Sequence, residues 1–109
     1  MRRFLYRLPR FKTELPMDLI LGDAVILGVC LNLSESGLRG TFSHPVLAGA
    51  EGLLTIYQGE QNVQIHARVY SLKGDEARIR FRFDSEQEQQ NIREFLKLVT
   101  PSSPKSWWR

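Results

Sequence analysis

The sequence has little of what metal centres and disulfide-stabilised folds require. Its 109 residues contain one cysteine, Cys30, and two histidines, His44 and His66. A single cysteine excludes an internal disulfide, and because Cys30 lies in an apolar stretch we expect a buried, reduced thiol. Two histidines with one cysteine supply too few ligands for a zinc site. The sequence therefore predicts a protein that binds no metal and needs no cofactor.

Catalytic motifs and long apolar segments are also missing. Ser34 does not lie in a Gly-x-Ser-x-Gly nucleophile elbow, and no glycine-rich loop ends in Lys followed by Ser or Thr. We therefore expect that the protein is not an enzyme. The first ten residues are too basic for a secretory signal, and Asp18 and Asp23 interrupt the apolar stretch in residues 17–30. These features predict a cytoplasmic protein without membrane insertion.

The composition is that of one small globular domain in which arginine is the main cation. Hydrophobic residues make up 42% and charged residues 25% of the chain, which suffices for a single modest core. Of the 15 basic residues 11 are arginines, against 12 acidic residues. Guanidinium groups bind phosphates and carboxylates through paired, planar hydrogen bonds. The excess of arginine over lysine therefore favours recognition of an anion.

Alternation of apolar and polar residues predicts short β-strands over most of the chain. It is clearest in residues 63–69 and 77–83, where every second residue is apolar. In the second segment the intervening residues are Arg78, Arg80 and Arg82, so its outer face is basic. Turns that contain glycine separate the predicted strands at residues 22–23, 59–62 and 73–75. About six strands with one buried face are expected.

The period then changes to that of a helix. Asp84 and Ser85 followed by Glu88 are typical of a capping box with Ser85 as the N-cap. Apolar residues recur at helical spacing after it, at positions 92, 95, 96 and 99. Six short strands and one amphipathic helix predict an antiparallel barrel or sandwich, with the helix packed over one opening or side.

Two stretches contain candidate binding residues. The basic N-terminal arm includes Arg3 and Arg7 and precedes the first strand. The stretch NLSESG places Asn32, Ser34 and Gly37 between two apolar segments. This pattern is typical of an Asx or Ser turn in which Gly37 has a positive φ, and it would also let a flat ligand approach the backbone closely. The residues alone leave a turn and a ligand site open.

In this order, RRFLYR followed by NLSESG resembles the PilZ domain, the bacterial receptor module for cyclic di-GMP. The resemblance extends from Arg2 to about Val99 and implies a six-stranded antiparallel β-barrel with a C-terminal amphipathic α-helix. It divides the chain into an arm (1–14), a barrel (15–84), a helix (85–99) and a tail (100–109), which contains Trp107 and Trp108.

The resemblance also implies roles for individual residues. Arg3 and Arg7 match the motif that binds the phosphates and stacks on guanine. Asn32, Ser34 and Gly37 match the motif that contacts the guanine edge and the nearby phosphate. A basic residue at the position of Arg2 accompanies binding of two cyclic di-GMP molecules in the family, so we expect two per chain. A change in arm conformation on binding would signal to a downstream protein partner.

One departure and two alternatives follow from the same residues. The stretch RIRFRF lacks the glycine that many relatives have near the corresponding phenylalanine, and we expect this difference to affect packing more than the site. As an alternative, the outward strand arginines and Tyr70 would bind single-stranded nucleic acid, although DNA or RNA is not the partner that we expect. A ligand-free protein-interaction module is the other alternative.

Overall fold

The computed structural model describes residues 11–99, which form six β-strands and one α-helix. They are β1 (Phe11–Leu21), β2 (Ala24–Leu33), β3 (Gly37–Phe42), β4 (Glu51–Gln58), β5 (Gln61–Lys73), β6 (Glu76–Phe81) and α1 (Glu86–Val99). Because β1 begins at Phe11, residues 11–14 belong to the barrel and not to the predicted arm. In the part of the chain that the structure describes, no helix has the length and apolarity needed to cross a membrane.

The strands form a closed antiparallel barrel in the order β1-β2-β3-β6-β5-β4. Pairing of β1 with β4, from Met17 opposite Ile56 to Ile20 opposite Leu53, closes it. Closure leaves no unpaired sheet edge, which is the usual way in which small all-β domains avoid association through their edges. The predicted barrel is confirmed, and the sandwich alternative is wrong.

Alternating side chains build the core of the barrel. On β5, Val63, Ile65, Ala67 and Val69 are buried while the residues between them are exposed, as their period of two predicts. Burial of a valine or isoleucine side chain stabilises the fold by about 1.5–3 kcal/mol. Cys30 is fully buried among them, and this burial raises the pKa of its thiol to about 12. The thiol is therefore protonated and unreactive at neutral pH.

Helix α1 packs on β5 through Ile92, Phe95 and Leu96, which are all buried. The backbone N–H of Glu88 donates to Ser85 Oγ at 3.3 Å, which confirms Ser85 as the N-cap. The Glu88 carboxylate accepts hydrogen bonds from the backbone N–H groups of Asp84 at 3.0 Å and His66 at 3.2 Å. It also lies 2.6 Å from His66 Nδ1. Glu88 therefore attaches the start of the helix to β5, and His66 is part of this attachment.

Two glycines on β3 allow its neighbours to approach closely. A Cβ on Gly37 would lie 2.2 Å from the carbonyl oxygen of Ile79 on β6, and one on Gly40 would lie 2.3 Å from that of Val29 on β2. Both contacts are with backbone atoms, which cannot move without disturbing the pairing of the strands. The position of β3 in the barrel therefore depends on these two residues having no side chain.

Gly37→Ala should destabilise the protein by about 2–3 kcal/mol, because the added methyl group separates β3 from β6. The matched control is Gly59→Ala, where a Cβ meets no atom within 4 Å and only the positive φ of 59° carries a cost, about 1 kcal/mol. Urea unfolding measures both free energies. Equal destabilisation by the two substitutions would contradict the close approach of β3 to β6.

The attachment of α1 should also depend on pH. Partial burial of Glu88 opposes its ionisation, but the hydrogen bonds from Asp84 and His66 outweigh this effect and lower the pKa of Glu88 below its usual 4.5. A carboxylate whose pKa is lower in the folded state stabilises the fold above the unfolded pKa. This contribution is lost as the pH falls through the lower, folded-state value.

Glu88→Gln should therefore lower the free energy of unfolding by about 1–3 kcal/mol at neutral pH, and the difference from wild type should shrink in acid. Glu86→Gln is the control, because Glu86 lies in the same helical turn and its substitution removes the same negative charge near the helix N-terminus. Unlike Glu88, Glu86 is exposed. Urea unfolding at several pH values makes the comparison. A Glu88→Gln effect that does not change with pH would refute the role of the carboxylate charge.

Candidate functional site

A groove of about 120 Å³ opens where the turn between β2 and β3 meets β5 and β6. It is lined by Asn32, Leu33, Ser34, Ser36, Gly37, Leu38, Arg39, Tyr70, Arg78, Ile79 and Arg80. The three residues predicted from NLSESG are therefore all in its wall. The turn supplies polar groups, and the two strands supply arginines and one aromatic ring.

Ser34 fixes the turn that forms one wall of the groove. Its backbone N–H donates to the carbonyl oxygen of Gly37 at 2.9 Å, and its hydroxyl donates to the same oxygen at 3.2 Å. The backbone N–H of Ser36 donates to Ser34 Oγ at 3.3 Å. Ser34 is buried, with 6% of its surface exposed. The predicted Ser turn is confirmed, and the Ser34 hydroxyl is already part of its hydrogen bonding.

The expected positive φ of Gly37 is wrong. Among residues 11–99 the glycines with positive φ are Gly22, Gly49, Gly59 and Gly74. Gly37 is instead the first residue of β3, opposite Arg80 of β6, and it has no side chain because of the close contact with Ile79. Its role in the groove is to let β6, with its arginines, lie directly beside the turn.

Asn32 lies where the sheet is irregular on both sides. The register of β2 shifts between Cys30 and Asn32 relative to β3, and the register of β1 shifts between Lys12 and Leu15 relative to β2. Such bulges change the direction of side chains and are frequent beside functional sites. Asn32 is half-buried in the groove wall, and its side-chain amide makes no hydrogen bond to another described residue. The amide is therefore available to a ligand.

Tyr70 and Arg80 form a stacked pair on the opposite side of the groove. The register of β5 and β6 shifts between Val69 and Ser71, so Tyr70 is the extra residue of a bulge. The guanidinium carbon of Arg80 lies 4.4 Å from the centroid of the Tyr70 ring, and 57% of Tyr70 is exposed. This geometry is that of a cation–π contact. The pair presents a flat cationic surface to the groove.

Arg39 and Arg78 complete the basic wall. They lie opposite each other on β3 and β6. Arg39 Nη1 is 3.4 Å from Glu76 Oε1, whereas its Nε is buried and has no hydrogen-bond partner. Arg78 is exposed, and no carboxylate of residues 11–99 forms an ion pair with it. Three guanidinium groups therefore surround the groove.

No acidic side chain of the described residues lines the groove. Glu35 is the nearest in sequence, between Ser34 and Ser36, but its carboxylate is 3.2 Å from Nε of Arg93 on α1. The groove is thus positive even though the whole chain has a net charge of only +3. This arrangement can bind an anion that also has flat rings and polar edges.

The predicted residues Arg2, Arg3 and Arg7 lie outside the described residues, as do Trp107 and Trp108. The start of β1 is nevertheless described. Phe11 pairs with Leu33 and Lys12 pairs with Asn32, so the chain enters the barrel beside the groove.

Sequence reasoning missed Arg39, although its position in GLRGTF between inward Leu38 and Gly40 is a signal for an outward side chain. Alternation in residues 77–83 predicted that Arg78 and Arg80 point outward, and both are exposed residues in the groove wall. The effect of the glycine missing from RIRFRF stays a prediction about packing.

Comparison with solved structures gives the same fold. The PilZ domain of CeSA from a cellulose-synthesizing bacterium is similar with a TM-score of 0.67 and 15% identity, over 84% of this chain and 94% of that chain. YcgR from Escherichia coli, solved in complex with c-di-GMP, is similar with a TM-score of 0.72 and 18% identity, over 97% of this chain and 50% of that chain. The Bacillus subtilis inhibitor of motility, MotI/DgrA, is similar with a TM-score of 0.63 and 16% identity, over 89% of this chain and 53% of that chain.

At these identities the structures establish the fold, and no curated protein sequence matches the chain. Sequence comparison with protein families adds a more specific result. The model of the PilZ domain matches residues 2–98, which include both RRFLYR and NLSESG. The chain therefore belongs to the PilZ domain family.

Proposed function

We propose that this chain is a receptor domain for cyclic di-GMP. The observation that carries the proposal is the groove itself, which combines Asn32 and Ser34 with arginines and has no acidic side chain among its described lining residues. YcgR, which has the same fold, was solved in complex with c-di-GMP. The proposed role is binding and not catalysis.

The chemistry of the ligand fits the groups in the groove. Cyclic di-GMP has two anionic phosphodiesters and two guanines, so its receptor needs cations, a surface for stacking and polar groups for the purine edge. Arg78 and Arg80 are cations, the Arg80–Tyr70 pair is a flat surface, and the Asn32 amide has both donors and an acceptor. Charge-assisted hydrogen bonds contribute about 1.5–3 kcal/mol each, so a few of them suffice for micromolar affinity, about −8 kcal/mol.

Covalent geometry allows the arm to reach this groove. Each residue spans at most about 3.6 Å, so the four positions from Arg7 to Phe11 span at most about 14 Å. That start pairs with Leu33 beside the groove. We propose that Arg3 and Arg7 bind the phosphates and stack on guanine, and that Arg2 accompanies binding of two ligand molecules per chain.

We further propose that ligand binding changes the conformation of the arm and thereby signals to a protein partner in the cytoplasm. The groove offers one described connection to another element, since the turn residue Glu35 forms an ion pair with Arg93 of α1. A ligand that changes the conformation of this turn would therefore also act on α1 through this ion pair.

Binding of single-stranded nucleic acid is the second candidate, because outward arginines and Tyr70 suit stacking and phosphate contact. The distribution of charged side chains supports this candidate less well than cyclic di-GMP binding. Arg68 and Arg82 lie 3.8 and 3.3 Å from the same carboxylate oxygen of Glu51, so they do not continue the basic wall as free cations. Nucleic-acid binding would also weaken steeply with salt.

Isothermal titration calorimetry with cyclic di-GMP tests the proposal. We expect binding at about micromolar Kd to wild type, a loss of about tenfold or more in Arg3→Ala and in Asn32→Ala, and two ligands per chain. Asn32 is preferred to Ser34 because its side-chain amide has no described hydrogen bond whose loss would unfold the turn.

Arg10→Ala is the matched control, since Arg10 has the same charge but lies outside the arm motif. It should bind with nearly wild-type affinity. Cyclic di-AMP and an oligothymidylate test selectivity. Absence of heat with cyclic di-GMP, together with an unshifted melting temperature, would overturn the proposed function.

A further inference from the structure

We propose that the barrel has an anion-binding subsite of its own, formed by Arg39, Arg78 and Arg80, that binds a phosphodiester of the ligand separately from the arm. This inference rests on the proposed function for the identity of the ligand, cyclic di-GMP. It concerns residues on two adjacent strands, whereas the arm arginines precede the barrel. Four observations on described residues support it.

The first observation is an unfavourable arrangement of charge. Arg39 and Arg78 are directly opposite each other on β3 and β6. Like charges in such cross-strand pairs destabilise a sheet. Arg39 is close to one carboxylate, that of Glu76, at 3.4 Å, and Arg78 and Arg80 have none among the described residues. Arginine cannot lose its proton in a protein, and Glu76 offsets only the charge of Arg39, so a bound anion would further relieve the repulsion.

The second observation is the Nε of Arg39, which is buried without a hydrogen-bond partner. A buried donor that lacks an acceptor costs free energy in the unliganded protein. The neighbouring Nη1 of the same guanidinium contacts Glu76. A shift of the Arg39 side chain toward a phosphate oxygen in the groove would supply the missing acceptor. The binding of the anion would therefore remove an existing cost as well as add a contact.

The third observation is that Arg80 is held in place before any ligand binds. Its guanidinium lies over the Tyr70 ring, 4.4 Å from the centroid. Stacking occupies a face of the guanidinium, whereas its N–H groups lie in the plane and stay available to oxygen acceptors. A side chain that is already ordered loses less conformational entropy when it binds. Tyr70 is thus a positioning residue for Arg80.

The fourth observation is the contrast with two other arginines of the same outer surface. Arg68 and Arg82 both contact Glu51 and do not line the groove. Arg82 follows Arg80 by two residues on the same face of the chain. The subsite therefore consists of selected arginines rather than of a general basic surface, and Arg82 is a matched control for Arg80.

The first test is calorimetry with cyclic di-GMP on the whole chain. Arg80→Ala and Arg78→Ala should each weaken binding about tenfold, the effect of losing one charge-assisted hydrogen bond. Arg82→Ala should weaken it less than about twofold, as expected for an exposed, already paired charge. Arg3→Ala should retain weak binding that Arg3→Ala/Arg80→Ala loses, because the arm and the barrel contribute separately.

The second test observes the arginines themselves by NMR. On addition of cyclic di-GMP, the Nε–H resonances of Arg39, Arg78 and Arg80 should shift and those of Arg68 and Arg82 should not. Oligothymidylate, which carries phosphodiesters without guanine, serves as the second probe. The same three resonances should respond to it more weakly.

The outcomes separate this inference from the proposed function. If wild type binds cyclic di-GMP and Arg80→Ala and Arg78→Ala bind it as tightly as wild type, the subsite is refuted and the receptor function stands. Equal losses in all three variants would also refute it, since general electrostatic attraction would explain them. If only oligothymidylate shifts the three resonances, the subsite stands and the receptor function falls. No shift of the three resonances with either probe refutes the subsite, and calorimetry on wild type then decides whether the receptor function stands.

Discussion

Pairing of β3 with β6 is the contact on which the groove depends. It joins the turn that follows β2 to the arginines of β6, although Gly37 and Arg80 are 43 positions apart in sequence. Gly37 makes this pairing possible, because any side chain there would collide with the backbone of Ile79. The N–H of Phe81 donates to the carbonyl oxygen of Ser36 at 2.9 Å and continues the contact into the turn. Gly37, which belongs to the NLSESG motif, thus permits the pairing of β3 with β6 in this molecule.

The strands, turns and helix could be predicted because their signals are local. The alternation in residues 63–69 places one face in the core wherever β5 lies in the sheet, and Ser85 caps the helix whatever the helix packs against. The order of strands could not be predicted from such patterns. That β3 neighbours β6 and not β4 is decided by how the barrel closes, and alternation does not encode partners.

The same distinction between local signals and the pairing of distant strands explains which groove residues could be predicted. Asn32 and Ser34 were predicted because the motif keeps them close in sequence, and both are in the groove wall. Arg39 was missed, and Arg80 was predicted to point outward but was not assigned to this groove, since each becomes part of the groove only through pairing of distant strands. The bulge at Tyr70 has no sequence signal of its own, yet it sets the ring beneath the guanidinium of Arg80. Side chains that register shifts redirect are the ones that sequence patterns describe least well.

The positive groove arises from the placement of acids rather than from net charge. Glu35 is bound by Arg93, Glu51 by Arg68 and Arg82, and Glu76 by Arg39. These pairs are partly exposed, so each adds little to stability. Their effect on the electrostatic potential of the groove is larger than their effect on stability. They keep carboxylates out of the groove, while Arg78 and Arg80 stay unpaired among the described residues. A chain whose acidic and basic residues nearly balance can therefore still present a positively charged groove, provided that its carboxylates are paired elsewhere.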